Sequence, residues 1–147
     1  ANLVVLSRDP SNEITNSQNI VHVIKNGQFI HLGDNEKLPF VMAREAAGLL
    51  FLSGQLGNLP TTMALAGNDI STQMTQAMKN IGFVLQDHNL DFNDVVKCTL
   101  MLADIKDWPL ANQAYTPFFT KLPARSAFAA SGLALGAKVE VECIAAL

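Results

Sequence analysis

The sequence predicts an α+β domain built on one sheet, with a short β-rich extension before it. Three observations lead there. From residue 39 onward, strand-like runs precede, separate and follow two stretches of helical spacing, in the order β-β-α-β-α-β-β. The length, 147 residues, suits one domain with a proper core. The composition is 49% hydrophobic but only 16% charged, where roughly 25% is ordinary for a soluble domain. A chain of this size needs a charged exterior, so the deficit predicts that other copies of the chain cover part of it. Two helices can cover one face of the sheet. Nothing in the chain remains for the other, and self-association is the simplest remedy.

The elements follow in order. "NLVVLS" reads as a short strand and "RDPSNEITNSQN" as turn and loop. "VHVIKNGQFIHLG" gives two extended runs flanking Asn26-Gly27, a strong hairpin signal. In "PFVMAREAAGLLFLSGQLG" two further strands meet around Ala47-Gly48: Phe40 to Ala46, of mixed polarity, and Leu49 to Ser53, apolar on both faces. The clearest element comes next. Ile70, Met74, Ala77, Met78, Ile81, Val84 and Leu85 recur at helical spacing. Asn68 or Asp69 can cap that helix, and His88 suits the negative pole at its end. "DVVKCTLMLAD" reads as a strand with Val96, Cys98, Leu100 and Leu102 on one face. "DWPLANQAYTPFF" is a shorter helix with Pro109 tolerable in its first turn. "ARSAFAA" and "AKVEVECIAAL" complete the strands.

Several function classes are disfavoured at once. A formal net charge of −3, with 10 Lys+Arg and no basic run, argues against an electrostatic nucleic-acid binder. No apolar stretch approaches a membrane span, and the charged "SRDPSNE" follows too soon for a signal peptide. A cytoplasmic location is expected. Cys98 and Cys143 each sit inside an apolar strand-like run and read as buried free thiols. His22, His31 and His88 have no neighbours at metal-ligand spacing, so no metal is expected. No phosphate loop and no nucleophile elbow are present.

What remains is a small set of polar residues. Arg125 opens an otherwise apolar strand. A guanidinium presents paired donors that fit a carboxylate in bidentate fashion, so its partner is either a ligand or an internal Glu140 or Glu142. Those two glutamates stand two apart in the last strand and share a face, either as general bases or simply solvated, while Val139, Val141 and Cys143 face the core. Gly54, in "LSGQLG", permits close backbone approach to a ligand or only forms a turn. Asn112 and Tyr115 lie near one face of the short helix, where Asn112 could hydrogen-bond a loop or a substrate.

Taken together, "LLFLSGQLG", the long helix, "DVVKCTLMLADI", "ANQAYTPFF", "PARSAFAA" and "GAKVEVECIAAL" resemble the Rid family of reactive-intermediate deaminases, also called YjgF or L-PSP. The resemblance covers residues 39–147, with "PARS" and "VEVECIA" its most specific pieces. It implies a chorismate-mutase-like α+β fold in a homotrimer with ligand sites in clefts between subunits. It also implies cofactor-independent hydrolysis of imines and enamines such as 2-aminoacrylate to a 2-keto acid and ammonia. By that resemblance Arg125 binds the substrate carboxylate, Glu140 positions or activates water, Gly54 touches ligand through its backbone, and Asn112 lies in the pocket. Two positions depart from the family pattern. Phe40 stands where a pocket tyrosine is usual, and Ala127 replaces a common cysteine; the segment from Thr120 to Pro123 also looks short. Residues 1–38 resemble instead the closing β-segment of metal-dependent amidohydrolases, without metal ligands, and read as an extension with no catalysis of its own.

Three functions follow as expectations. The first is an imine deaminase in which Arg125 clamps the carboxylate and Glu140 handles the attacking water. The second is a small-carboxylate-binding or regulatory trimer without turnover, favoured by Phe40. The third, ribonuclease activity of the L-PSP type, fits poorly with the acidic balance and the lack of a histidine pair.

Overall fold

The computed structural model describes residues 3–6, 20–25, 28–31, 39–60 and 62–147. The chain divides into two compact units, Ala1–Pro39 with Pro60–Met63, and Phe40–Leu59 with Ala64–Leu147. In the first, β1 (Leu3–Leu6), β2 (Ile20–Lys25) and β3 (Gln28–His31) form an antiparallel sheet in that order. The strands on either side of Asn26-Gly27 pair from His22 opposite His31 to Lys25 opposite Gln28. The turn itself and the loop over residues 7–19 lie outside the described residues.

The second unit carries a mixed sheet and two helices. Its strands are β4 (Ala43–Ala46), β5 (Leu49–Leu52), β6 (Gln55–Leu56), β7 (Val95–Leu102), β8 (Ala124–Ala129) and β9 (Val139–Ala146). The order across the sheet is β4-β5-β9-β7-β8, with β6 also on β9. Among the described strands only β7 and β8 are parallel, and the helix α2 (Trp108–Tyr115) lies between them in sequence as their crossover. The Phe40 to Ala46 strand is shorter than predicted, because pairing begins at Ala43 opposite Leu52. Ala47 and Gly48, at φ 52° and 73°, form the two-residue turn between β4 and β5. Both values match the turn type whose twist suits a hairpin.

The helix α1 (Ile70–Asp87) is capped by Asp69, whose carboxylate accepts from the Thr72 N–H at 2.8 Å. That bond holds the Asp69 carboxyl below its ordinary pKa. All seven apolar positions read from its spacing are buried. They pack on Leu50, Leu52, Leu100, Leu102, Val139, Val141 and Ala145 of the sheet, and Ala111 and Tyr115 of α2 join the same core. Asn80 ties the helix to β6 by donating to the carbonyls of Leu56 and Asn58, both at 2.9 Å. Gln73 does the same elsewhere, donating to Gly67 O at 2.6 Å and accepting from Lys138 N at 2.8 Å.

Two sequence expectations are corrected here. A register shift between Val95 and Lys97 turns β7, so Val95 is buried and Val96 is exposed. Cys98 and Cys143 are joined in a disulfide rather than free. They are directly opposed across β7 and β9, both on the core face, with Cα atoms 4.1 Å apart. Which strands become neighbours decides that pairing, and single-strand patterning does not show it. Within this unit nothing among the described residues covers the face away from the helices, where Phe51 and Phe128 are exposed beside Lys97, Thr99 and Glu142.

Candidate functional site: two half-sites on opposite faces of the sheet

Alternation along β8 points Arg125 and Ala127 to the helix side, since Arg125 lies level with Cys98 and Ala127 with Leu100. Both are half-buried, and Ala127 packs against the core. Asn112 and Tyr115, three apart on α2, share a face and meet the arginine. The Arg125 Nη1 donates to Asn112 Oδ1 at 2.6 Å. Its guanidinium carbon lies over the Tyr115 ring, 5.2 Å from the centroid. The ring is anchored in turn by Phe119 at 4.8 Å. Burial pushes the Tyr115 phenol up to about 12 against a small opposing pull from the Arg125 charge. Its hydroxyl is buried and has no hydrogen-bond partner among the described residues.

The internal salt bridge that could have explained Arg125 is not formed. Glu140 and Glu142 alternate with Val139, Val141 and Cys143 on β9, so they point to the open face while Arg125 points to the helices. Among the described residues, no carboxylate makes an ion pair with Arg125. Its remaining donors are free to meet a ligand.

The second half-site gathers around Glu140. The end of β5 leads through Ser53 and Gly54 into β6, which pairs Leu56 with Glu140. The half-buried Glu140 side chain lies directly over Gly54. A methyl group built there would come within 2.9 Å of its Cδ and 3.1 Å of its Cγ, and closer still to Oε1. Only glycine leaves that space to the carboxylate. Ser53 fixes the approach: its Oγ donates to Val41 O at 2.6 Å and its N–H to Met42 O at 2.9 Å. Phe40, just before that segment, is 51% exposed.

One chain therefore brings Arg125 together with Asn112, and Glu140 together with Gly54, but not the two pairs with each other. Among the described residues, no hydrogen bond or ring contact places Phe40 with either pair. Tyr115 is the residue that sequence reasoning undervalued; the Asn-x-x-Tyr spacing on a helix was the signal. Among the described residues, no group of three or more His, Cys, Asp and Glu side chains is arranged to hold a metal ion.

The family described as endoribonuclease L-PSP matches residues 35–147. A relative from Arabidopsis thaliana, described as chloroplastic Reactive Intermediate Deaminase A, is 41% identical over 74% of this chain. The match spans 59% of that protein's length. A 2-iminobutanoate/2-iminopropanoate deaminase from Mus musculus is 37% identical over 73% of this chain and 80% of its own. Among solved structures, E. coli TdcF with bound serine superposes with a TM-score of 0.71 at 26% identity, covering 75% of this chain and 89% of that one.

Proposed function

Since this chain belongs to the endoribonuclease L-PSP family, the Rid family of deaminases, we propose that it hydrolyses small carboxylate-bearing imines to 2-keto acids and ammonia. The observation that carries the reading is Arg125: a half-buried guanidinium, braced by Asn112 and Tyr115, that no carboxylate among the described residues satisfies. Relatives at 37–41% identity are named deaminases of such intermediates, and a 26% identical structure binds serine, itself a small carboxylate.

In this reading the Arg125 guanidinium binds the substrate carboxylate through two of its free N–H groups. An enamine substrate such as 2-aminoacrylate first takes a proton at its methylene carbon to give the iminium. A water then adds to the C=N carbon while Glu140 accepts the proton it loses. Glu140 returns that proton to the amine of the carbinolamine, the C–N bond breaks with its electron pair leaving on ammonia, and the hydroxyl gives its proton to the ammonia as the C=O of the keto acid forms. No electrons are exchanged with an external group, and no cofactor enters.

Arg125 and Glu140 face opposite sides of one sheet, so a site containing both draws them from different copies of the chain. The exposed Phe51 and Phe128 on the open face give such copies an apolar surface to share. A homotrimer with a chorismate-mutase-like arrangement satisfies both requirements. In it Phe40, Gly54 and Ala127 line the pocket, with Phe40 lacking the hydroxyl of a tyrosine. In this reading residues 39–147 carry the reaction, and residues 1–38 are an extension with no catalysis of its own. No helix among the described residues is long and apolar enough to cross a membrane. A cytoplasmic location belongs to this reading, and the Cys98–Cys143 disulfide is the feature that sets against it.

The test is ammonia release from 2-aminoacrylate generated in situ, by the native chain, Arg125→Ala, Glu140→Ala, and the two variants co-expressed. Each variant alone is expected to be inactive. Co-assembled trimers regain about a quarter of native activity, because a quarter of the interfaces join an intact Arg125 to an intact Glu140. A mixture that stays inactive overturns the shared site. A native chain that binds 2-oxobutanoate but releases no ammonia moves the protein to the binding class.

A further inference from the structure

Two α2 residues hold the arginine. We propose that Asn112 and Tyr115 are positioning residues that set the carboxylate specificity of the site through Arg125, without touching substrate themselves. This rests on the reading of Arg125 above.

A guanidinium recognises a carboxylate well only when a two-donor edge faces the ligand in the right plane. Left alone on an edge strand, the Arg125 side chain would sample many rotamers, and each binding event would first have to order it. Two contacts remove that freedom. The Tyr115 ring fixes where the guanidinium carbon sits, at 5.2 Å from its centroid. The Asn112 Oδ1 takes one N–H of Nη1 at 2.6 Å and so decides which edge is used internally. An arginine has five N–H donors, and among the described residues Asn112 is the acceptor of only one. A two-donor edge remains for the ligand.

Asn112 suits this role better than a carboxylate would. Its carbonyl accepts from the guanidinium without neutralising it, so the positive charge stays available. The chain already shows the contrast: both glutamates that could quench Arg125 are turned to the other face of the sheet. Tyr115 contributes its ring, since its hydroxyl has no partner among the described residues. A phenylalanine would offer the same aromatic face to Arg125 without the cost of that unpaired hydroxyl.

The experiment measures 2-oxobutanoate binding by calorimetry and imine hydrolysis by steady-state kinetics in the full-length chain. Asn112→Ala and Tyr115→Leu are each expected to weaken 2-oxobutanoate about 5- to 30-fold, a range set by the strength of cation–π and charged hydrogen bonds. KM should rise in step while kcat stays within about 3-fold, whereas loss of folded protein would lower kcat instead. In the Arg125→Ala background, Asn112→Ala should have no further effect. An Asn112→Ala affinity equal to native overturns the proposal. So does a loss of equal size in both backgrounds, which would mean Asn112 meets the ligand itself. Should Tyr115→Leu fail to fold, the half-buried Asn112 decides the matter alone. If Arg125→Ala binds 2-oxobutanoate as tightly as native, the carboxylate assignment of Arg125 fails instead, a distinguishable result.

Discussion

Replacing Gly54 by alanine tests the Glu140 half-site with a single methyl group. That methyl would stand 2.9 Å from Glu140 Cδ and 3.1 Å from Cγ, where non-bonded carbons settle at roughly 3.5–4.0 Å. The carboxylate must therefore retreat by about 1 Å or more, because its Oε1 would stand closer to that methyl than either carbon does. The backbone at Gly54 keeps its place, because the atoms asked to move belong to the far end of a half-buried side chain. The cost to folding is expected to be about 1 kcal/mol or less, read as a small shift in the urea midpoint. The cost to catalysis is larger, since misplacing a reacting group by about 1 Å lowers rate by up to about 100-fold. Gly54→Ala should thus lower kcat/KM for imine hydrolysis by roughly 10- to 100-fold with the fold intact. In a Glu140→Ala background those three atoms are gone, and the small stability penalty should shrink. A Gly54→Ala enzyme within twofold of native kcat/KM would refute the placement of Glu140 in the reaction.

Other outcomes follow from the same packing. At Gly57 a methyl would meet α1 backbone, 2.6 Å from Gln73 Cα and 2.7 Å from its carbonyl carbon; Gly57→Ala should destabilise by about 3 kcal/mol in urea unfolding, and a change under about 1 kcal/mol would show the helix free to shift. Reducing the Cys98–Cys143 bond, which closes a loop of 45 residues, should lower stability by up to about 4 kcal/mol, seen as an earlier urea midpoint with dithiothreitol; an unchanged midpoint would mean the native chain folds with free thiols. Tyr115 ionises near pH 10 when unfolded and near 12 when folded. Its contribution is therefore complete below pH 10 and is lost as pH rises towards 12, at up to about 1.4 kcal/mol per pH unit. Tyr115→Phe should flatten that alkaline limb in a pH series of thermal melts.

Local periodicity carried much of this fold. The buried stripe of α1, the Ala47-Gly48 turn and the alternation of Val139 to Cys143 each depend on residues close in sequence, and each appears as read. The failures share a different cause. Val96 was placed inward because alternation was assumed unbroken, and a bulge at the start of β7 exchanged it with Val95. Cys98 and Cys143 looked like isolated thiols because each strand was read without its neighbour. The candidate site divides along the same line. Arg125, Glu140, Gly54 and Asn112 were all identifiable as residues of interest. That Arg125 and Glu140 look away from each other depends on β8, β7 and β9 lying side by side, which is a property of the whole sheet. The role of Tyr115 as a surface beneath Arg125 likewise needed the crossover helix to be set against the edge strand.

The central position of β9 has a consequence for how the protein is made. Residues 139–146 pair with β5, β6 and β7, yet a ribosome delivers them after the strands they join. Until they emerge, β5 and β7 have no partner between them, and Leu50, Leu100 and Leu102 lack the neighbour that seals them. Cys98 must likewise wait as a thiol for Cys143. Assembly of this sheet is then a late event, governed by long-range pairing rather than by the early helix. Nascent chains stalled before residue 139 should be the form that chaperones and proteases meet.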